Sequence, residues 1–293
     1  MSYYPNDQRA YGRQRQQRRR SNFSGLKLRL LIGGAIVLFS VVSYLTKGQI
    51  NPVTGQKQRV NLSIQDEIAM GFQSVSRMGQ QSLNMRAQHH VDQIGNQLIR
   101  SLESKLAQEG IQIPYPFEFH LLADDGSVNA FALPGGQVFI TETLYRLLSS
   151  DGATAHDARL AGVLGHEIGH VLERHSSEQM ATGGLLKGIA GAAGVAGGDA
   201  NSSRAASWLG NIFSMKYGRQ DELESDLWGV ELMLLANYDP HELIAVMDVL
   251  EASAGGGGSP EFLSTHPRPA NRKKYIEDII KEKSLENPAF AFE

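Results

Sequence analysis

The spacing of apolar residues divides the chain into a polar start, one apolar run and a body with helical and extended patterns. The uncharged run extends from Leu30 to Leu45 and is followed by a polar stretch, 46–62, with Pro and Gly turn residues. From Ser63 to about Gln108 apolar residues recur at helical spacing, which predicts two helices. A short block of strands and then further helices follow. This order predicts an α+β fold that is mostly helical and carries a small sheet.

The strand block is predicted to contain a hairpin. Residues 117–121 alternate apolar and polar side chains, as a half-exposed strand does. Residues 128–133 and 137–141 read as two further strands. The Pro134-Gly135-Gly136 segment between them suits a tight turn, because glycine readily adopts a positive φ.

The second half of the body is predicted to be helical, with two flexible interruptions. The predicted helices cover 157–180, 219–236 and 240–253. Residues 183–200 are small, apolar and rich in glycine, and predict either a mobile flap or loose hairpin near the site, or a tolerated insertion. Four consecutive glycines, 255–258, predict a flexible loop that leads into the Ser-Thr-His-Pro sequence ending at Pro267.

The apolar run and its flanks predict a single-pass membrane anchor. Eight Lys or Arg residues precede the run and three follow it closely. This asymmetry places the N-terminus in the cytoplasm and the body across a bacterial inner membrane, in the periplasm. The predicted organisation is a disordered basic tail over 1–25, an anchor over 26–46, a linker over 47–62 and the body over 63–293. A cleaved signal peptide is disfavoured, since no A-x-A-like site follows the run.

Charge and composition exclude several kinds of function. After residue 59 the chain has 17 basic and 30 acidic residues, so this part repels polyphosphate and is not expected to bind nucleic acid. The absence of cysteine excludes disulfides and Cys metal ligands. Nothing in the sequence indicates an oligomeric state.

The sequence His166-Glu167-Ile168-Gly169-His170 predicts a zinc site on a helix. Residues four apart project from the same face one turn apart, so both imidazoles can bind one Zn²⁺. Glu167 lies beside the first ligand, where it can act as general base on water at the metal. One Zn²⁺ per chain and hydrolysis of peptide bonds are therefore expected.

A catalytic zinc needs a third protein ligand, and a later helix offers one. Glu222 and Asp226 are again four apart, so Glu222 can bind the metal while Asp226 accepts the outer N–H of a ligand histidine. Glu224 is the competing carboxylate, but it projects from another face. His175 lies five residues beyond His170 and, on a straight helix, points away from the metal, so we expect it on the polar surface or in support of a ligand.

Several motifs together identify a family resemblance. HEIGHVLERH, DELESD followed by Gly229, LSTHP and NAFALPGGQVFIT resemble the zinc-metallopeptidase family that includes the CAAX prenyl endopeptidase and the heat-shock protease HtpX. The resemblance covers roughly 50–275 and is strongest to the single-anchor bacterial branch. It implies a zincin-type fold of the gluzincin class. The residues implied as zinc ligands are His166, His170 and Glu222, with Glu167 as base, Asp226 supporting a ligand and His266 approaching from the C-terminal loop.

Two further parts of the site are expected on this basis. His266 either donates to the oxyanion of the reaction or occupies the open zinc position at rest and keeps the enzyme latent. The hairpin is the expected substrate edge, where an extended polypeptide can add as a strand. The residues expected to bind substrate are Asn129, Ala130, Phe131, Gly136 and Val138.

The sequence thus predicts a membrane-anchored zinc endopeptidase that acts on unfolded or misassembled envelope proteins. Two alternatives stay open. The chain could be a non-catalytic chaperone or adaptor that binds polypeptides with the same fold. The zinc site could also be purely structural, which would require closure by four protein ligands.

Overall fold

The structure is a computed structural model that describes residues 8–123, 126–149, 152–197, 216–254, 260–266, 271–287 and 290. The chain divides into two compact units. The first consists of residues 1–48 and 180–206, and the second of residues 49–179 and 207–293.

Helices dominate the described residues, as the α+β prediction requires. The helices are α1 Gln8–Thr46, α2 Ile64–Ser74, α3 Met85–Gln108, α4 Glu142–Leu147, α5 Ala153–Leu172, α6 His175–Gly197, α7 Arg219–Leu235, α8 Glu242–Ala254, α9 Glu261–Thr265 and α10 Arg272–Glu286. The strands are β1 Gly48–Ile50, β2 Lys57–Arg59, β3 Glu118–Leu122, β4 Ala130–Leu133 and β5 Gln137–Thr141.

The larger sheet has three strands in the order β3-β5-β4. β5 pairs parallel with β3 and antiparallel with β4, and every residue of β5 is buried. The predicted hairpin is present, and its turn contains Gly135 at φ 85° and Gly136 at φ 103°. β4 therefore forms one edge of this sheet.

Helix α5 runs through the core of the second unit and packs closely against α7. Its residues Leu160, Leu164 and Ile168 are fully buried. The two helix axes approach closely because glycines face each other: a Cβ at Gly165 would lie 3.2 Å from the Cα of Gly229. This approach brings the acidic residues of α7 beside the histidines of α5.

The predicted helix over 157–180 is instead two helices, α5 and α6. Arg174 lies between them at φ 57°, a left-handed conformation that ends α5. Its guanidinium donates to Glu67 from Nε at 3.0 Å and from Nη2 at 2.8 Å, and both side chains are buried. Helical periodicity continues across the break, so spacing alone could not locate it.

The segment expected as a linker is partly structured. It contains β1 and β2, which pair in a two-stranded sheet. Buried Asn51 donates from Nδ2 to the carbonyl of Leu172 at 2.7 Å, at the end of α5. The segment after the anchor is thus bound to the helix that carries the metal motif.

In the first unit, α1 contains the 22-residue stretch Gly25–Thr46, which is long and apolar enough to cross a membrane. The helix begins at Gln8, inside the segment expected to be a disordered tail. Arg and Gln, which are frequent there, are good helix formers. Of the segment 183–200, the part up to Gly197 is helical and belongs to α6. Residues 1–7, 198–200 and the glycines 255–258 lie outside the described residues.

Candidate metal centre

Four side chains from three elements converge at one buried point. His166 and His170 come from α5, Glu222 from α7, and His266 from the residue that follows α9. One ligand atom from each lies within 4.8 Å of the other three. All four side chains are buried. The sequence predicted three of them as ligands, and the structure brings these three together with the fourth.

The distances fit a metal ion. The two Nε2 atoms of His166 and His170 are 3.2 Å apart. Each lies 3.7 Å from an oxygen of Glu222. Two nitrogens bound to one tetrahedral zinc at about 2.05 Å would be about 3.3 Å apart, so these three residues need little movement to bind one ion.

Asp226 lies behind His166, one of the predicted ligands. Its Oδ1 is 3.0 Å from Nδ1 of His166. A proton on that Nδ1 leaves the Nε2 lone pair directed at the centre. Burial would raise the pKa of Asp226, but the guanidinium of Arg272 and the hydrogen bond from His166 outweigh it and lower that pKa. The carboxylate is therefore ionised.

Arg272 was not identified from the sequence, yet it binds both Glu222 and Asp226 of α7. It donates from Nε and Nη2 to Asp226 at 2.7 and 2.6 Å, and from Nη1 to Oε2 of Glu222 at 2.7 Å. This fork holds the two carboxylates in one geometry, which a lysine could not do. An Arg soon after the LSTHP motif was the available signal.

His175 does not point away from the centre as a straight helix would have it, but takes the alternative position, next to a predicted ligand. Because the chain turns at Arg174, Nδ1 of His175 lies 2.9 Å from Nδ1 of His170. Nε2 of His175 is 3.0 Å from Oε2 of Glu224. A proton on Nδ1 of His170 and another on Nε2 of His175 satisfy both bonds and leave Nε2 of His170 free for a metal. Glu224 thus supports a ligand through His175.

Glu167 is the buried acid at this centre that makes no hydrogen bond among the described residues. It is fully buried, and neither carboxylate oxygen has a hydrogen-bond partner among the described residues. Its Oε1 is 3.5 Å from Nε2 of His266. Burial raises the pKa of Glu167. A buried carboxylate without a hydrogen bond in this position fits a general base that acts on water beside a metal.

His266 reaches the position that a fourth ligand would take. Its Nδ1 is 3.3 Å from Nε2 of His166 and 3.0 Å from Oε1 of Glu222. The short helix α9 before it is held on both sides. The N–H of Phe262 donates to the carbonyl of Val128 at 3.1 Å, and the N–H of Tyr217 donates to the carbonyl of Thr265 at 3.0 Å.

Tyr217 is a second residue that the sequence did not reveal. Its ring stacks on His170 with the centroids 3.8 Å apart. Its hydroxyl lies 3.0 Å from Oγ of Ser176, and burial raises the pKa of the phenol. Tyr217 therefore fixes the plane of one imidazole. No spacing rule connects it with the motif, because it lies 47 residues along the chain from His170.

The five expected substrate residues do not all lie on the sheet edge. Ala130 and Phe131 belong to β4, and Asn129 directly precedes it. Gly136 is in the hairpin turn. Val138 is fully buried on the central strand, which is paired on both sides, so it is not available to an added strand.

The comparisons with known proteins agree with the site. The profile of peptidase family M48 matches residues 86–280, more than half of the chain. The chain is 30% identical over 262 residues to the beta-barrel assembly-enhancing protease of Yersinia pestis, covering 83% of this chain and 50% of that protein. The Escherichia coli K12 protein of the same name is 28% identical over 257 residues, covering 80% and 50%.

A mitochondrial relative matches over a larger share of its length. The metalloendopeptidase OMA1 of Saccharomyces cerevisiae is 29% identical over 275 residues, covering 87% of this chain and 73% of that protein. The chain spans only about half the length of the bacterial relatives. The profile match confirms the family resemblance drawn from the motifs: the chain belongs to peptidase family M48.

Proposed function

We propose that this chain is a membrane-anchored zinc endopeptidase with one Zn²⁺ held by His166, His170 and Glu222. The observation that carries the proposal is the convergence of these ligand atoms beside the buried carboxylate of Glu167, which has no hydrogen bond among the described residues. Two imidazoles and one carboxylate are the ligand set of a catalytic zinc with an open position.

The chain's own groups account for the proton movements. Bound zinc supplies a Lewis acid that polarises a carbonyl and makes water more acidic. Glu167 takes a proton from the attacking water and passes it to the leaving amine. The pKa of Glu167 is raised toward neutral pH, which suits a group that must first accept a proton from water and then donate it to the amine. Asp226 and Arg272 keep His166 and Glu222 oriented throughout.

His266 makes the resting form latent in this proposal. Its Nδ1 stands beside His166 and Glu222 on the ligand side, where it competes with water and substrate. The site residues are all buried, so a polypeptide needs the α9 segment to move before it reaches them. Donation to an oxyanion would instead require His266 to face an open cleft.

We place the body outside the cytoplasm, tethered by α1, in a bacterial inner membrane. The relatives' names concern assembly of β-barrel proteins and mitochondrial endopeptidase activity. By extension, the substrates proposed here are unfolded or misassembled envelope proteins. They would bind in extended form along β4, whose outer edge has no strand partner among the described residues.

Metal analysis of the full-length protein and its Glu222→Ala variant tests the ligand set. The parent should carry one zinc per chain and cleave unfolded casein until a chelator is added, whereas Glu222→Ala should lose most of the zinc. The exposed variant Glu277→Ala is the control and should match the parent. Full zinc in Glu222→Ala would contradict the ligand assignment. Parental zinc without cleavage, even in His266→Ala, would favour the chaperone or structural alternative.

A further inference from the structure

The second half of α6 has an unusual composition for a helix of a water-soluble domain. Between Met180 and Gly197, eleven of eighteen residues are Gly or Ala and only Lys187 is charged. Leu186 and Ile189 are exposed in the structure. Isolated helices rich in glycine are unstable in water, so this half of α6 needs a partner surface or a nonaqueous environment.

Its partner is the anchor helix. The hydroxyl of Thr182 lies 3.5 Å from that of Tyr44. Farther along, a Cβ at Gly188 would clash with Oγ of Ser40 and lie 3.0 Å from its Cβ. The contacts advance toward the C-terminus of α6, from Thr182 to Gly188, while they move toward the N-terminus of α1, from Tyr44 to Ser40. The two helices are therefore antiparallel.

Both helices present small or half-buried residues at matching spacing. On α6 these are Ala181, Leu185, Gly188 and Ala192, and on α1 they are Gly33, Val37, Ser40 and Tyr44. Each set follows steps of four, three and four residues, which is one face of a helix. Small residues at such a seam allow the close backbone approach by which helices associate within membranes.

The contacts place α6 beside the stretch of α1 that is long and apolar enough to cross a membrane. Gly188 lies beside Ser40, six residues inside the end of the stretch Gly25–Thr46, which is about 9 Å along the helix. A helix at that depth beside a membrane-spanning α1 would have acyl chains on its outer side. Lys187 is compatible with this position, because its Cβ points toward the N-terminal end of α6 and its long stem can carry the ammonium back to the interface.

We propose that residues Met180–Gly197 form a membrane-embedded helix that packs antiparallel against the anchor, with lipid acyl chains covering Leu186 and Ile189. The metallopeptidase chain would then be attached to the bilayer at two places, one before the body and one directly after the helix that carries the metal motif. This inference does not depend on catalytic activity.

The natural absence of cysteine allows a direct test in the full-length protein. Single cysteines replace Ile189, Phe39 or Leu285, all exposed, and carry a fluorophore in phosphatidylcholine–phosphatidylglycerol vesicles. Phe39 on the anchor is the lipid-facing control and Leu285 on α10 is the aqueous control. Lipids brominated on the acyl chains should quench the label at 189 nearly as strongly as at 39. Quenching no stronger than at 285 would overturn the proposal.

A crosslink tests the helix pairing independently. The double variant Ser40→Cys/Gly188→Cys should form a disulfide within one chain on mild oxidation, because its Cβ atoms come within bridging distance. The pair Ser40→Cys/Gly191→Cys is the control, since a Cβ at Gly191 meets nothing within 4 Å. Failure of the first pair to crosslink would refute the antiparallel packing. Crosslinking between chains would show that a second copy, not the anchor, covers this face.

Discussion

At the scale of single residues, two side chains of the C-terminal segment contact the two carboxylate oxygens of Glu222. Oε2 accepts from Arg272, which is itself fixed on Asp226, and Oε1 lies 3.0 Å from Nδ1 of His266. Arg272 is tied by three hydrogen bonds, whereas His266 ends a helix of only five residues. Arg272 thus holds Glu222 and Asp226 together, while the latency proposed above requires the His266 contact to be released.

Replacing His266 by Ala is expected to raise casein hydrolysis with zinc retained, because an internal competitor for the metal is removed. A closed form populated at about 90% would give a rise of about tenfold. His241→Ala, in an exposed loop, is the matched control and should behave as the parent. Steady-state kinetics and metal content provide the measurement. A fall in kcat would instead indicate that His266 donates to the oxyanion, and an unchanged rate would show that it has neither role.

The candidate ligands and Asp226 were predictable from sequence, while the other supporting residues, Arg272, Tyr217 and His175, were not, for one physical reason. The local sequence shows two pairs of residues that are each four apart on a predicted helix, His166 with His170 and Glu222 with Asp226. His175 is positioned by the left-handed turn at Arg174, which depends on a buried ion pair with Glu67. That pair joins residues 107 positions apart, so no local pattern reveals it.

At the scale of elements, the centre depends on how closely α5 and α7 approach. A Cβ at Gly169 would lie 3.0 Å from the Cα of Ser225 and 2.9 Å from the Cβ of Trp228. Gly169 lies between the metal motif's own residues, one position before His170. The absence of a side chain at Gly169 therefore allows α7 to come close enough to α5 for Glu222 to reach the histidines.

We predict that Gly169→Ala separates the two helices by several tenths of an ångström and weakens zinc binding. Overpacking of this kind costs about 1–3 kcal/mol of folding free energy. The control is Gly183→Ala on α6, where a Cβ meets nothing within 4 Å. Thermal unfolding and zinc retention during dialysis against a weak chelator should both decline in Gly169→Ala only. Equal behaviour of the two variants would contradict the account of helix packing.

The elements themselves were largely predictable from periodicity, including the hairpin with its glycine turn. The element boundaries that were predicted wrongly lie where contacts between residues far apart in sequence determine the structure. Asn51 anchors the expected linker to the end of α5, and Arg174 divides the expected long helix. The glycine-rich half of α6 has no apolar periodicity of its own, and its partner on α1 is more than 130 residues away in sequence.

At the scale of the whole molecule, charge distribution and the anchor set the expected topology. Eleven basic residues and one acidic residue precede residue 60, and acids prevail after it. The positive-inside rule therefore predicts that the basic end stays in the cytoplasm and that the acidic body lies across the membrane.

A membrane-impermeant maleimide tests this orientation in intact spheroplasts. A single cysteine at Leu285, exposed on α10, should be labelled without permeabilisation. A single cysteine at Ser2 should be labelled only after detergent is added, and the cysteine-free parent should not be labelled at all. Labelling of Ser2→Cys in intact spheroplasts with protection of Leu285→Cys would invert the topology.

The most direct test of the central claim is a paired measurement of zinc content and casein hydrolysis in Glu167→Gln. The amide keeps the shape of the side chain but cannot accept a proton from water at neutral pH. We predict parental zinc content and unfolding temperature, with activity lower by on the order of 10²-fold or more. Activity within about threefold of the parent would contradict the assignment of Glu167 as the base, and with it the proposed mechanism.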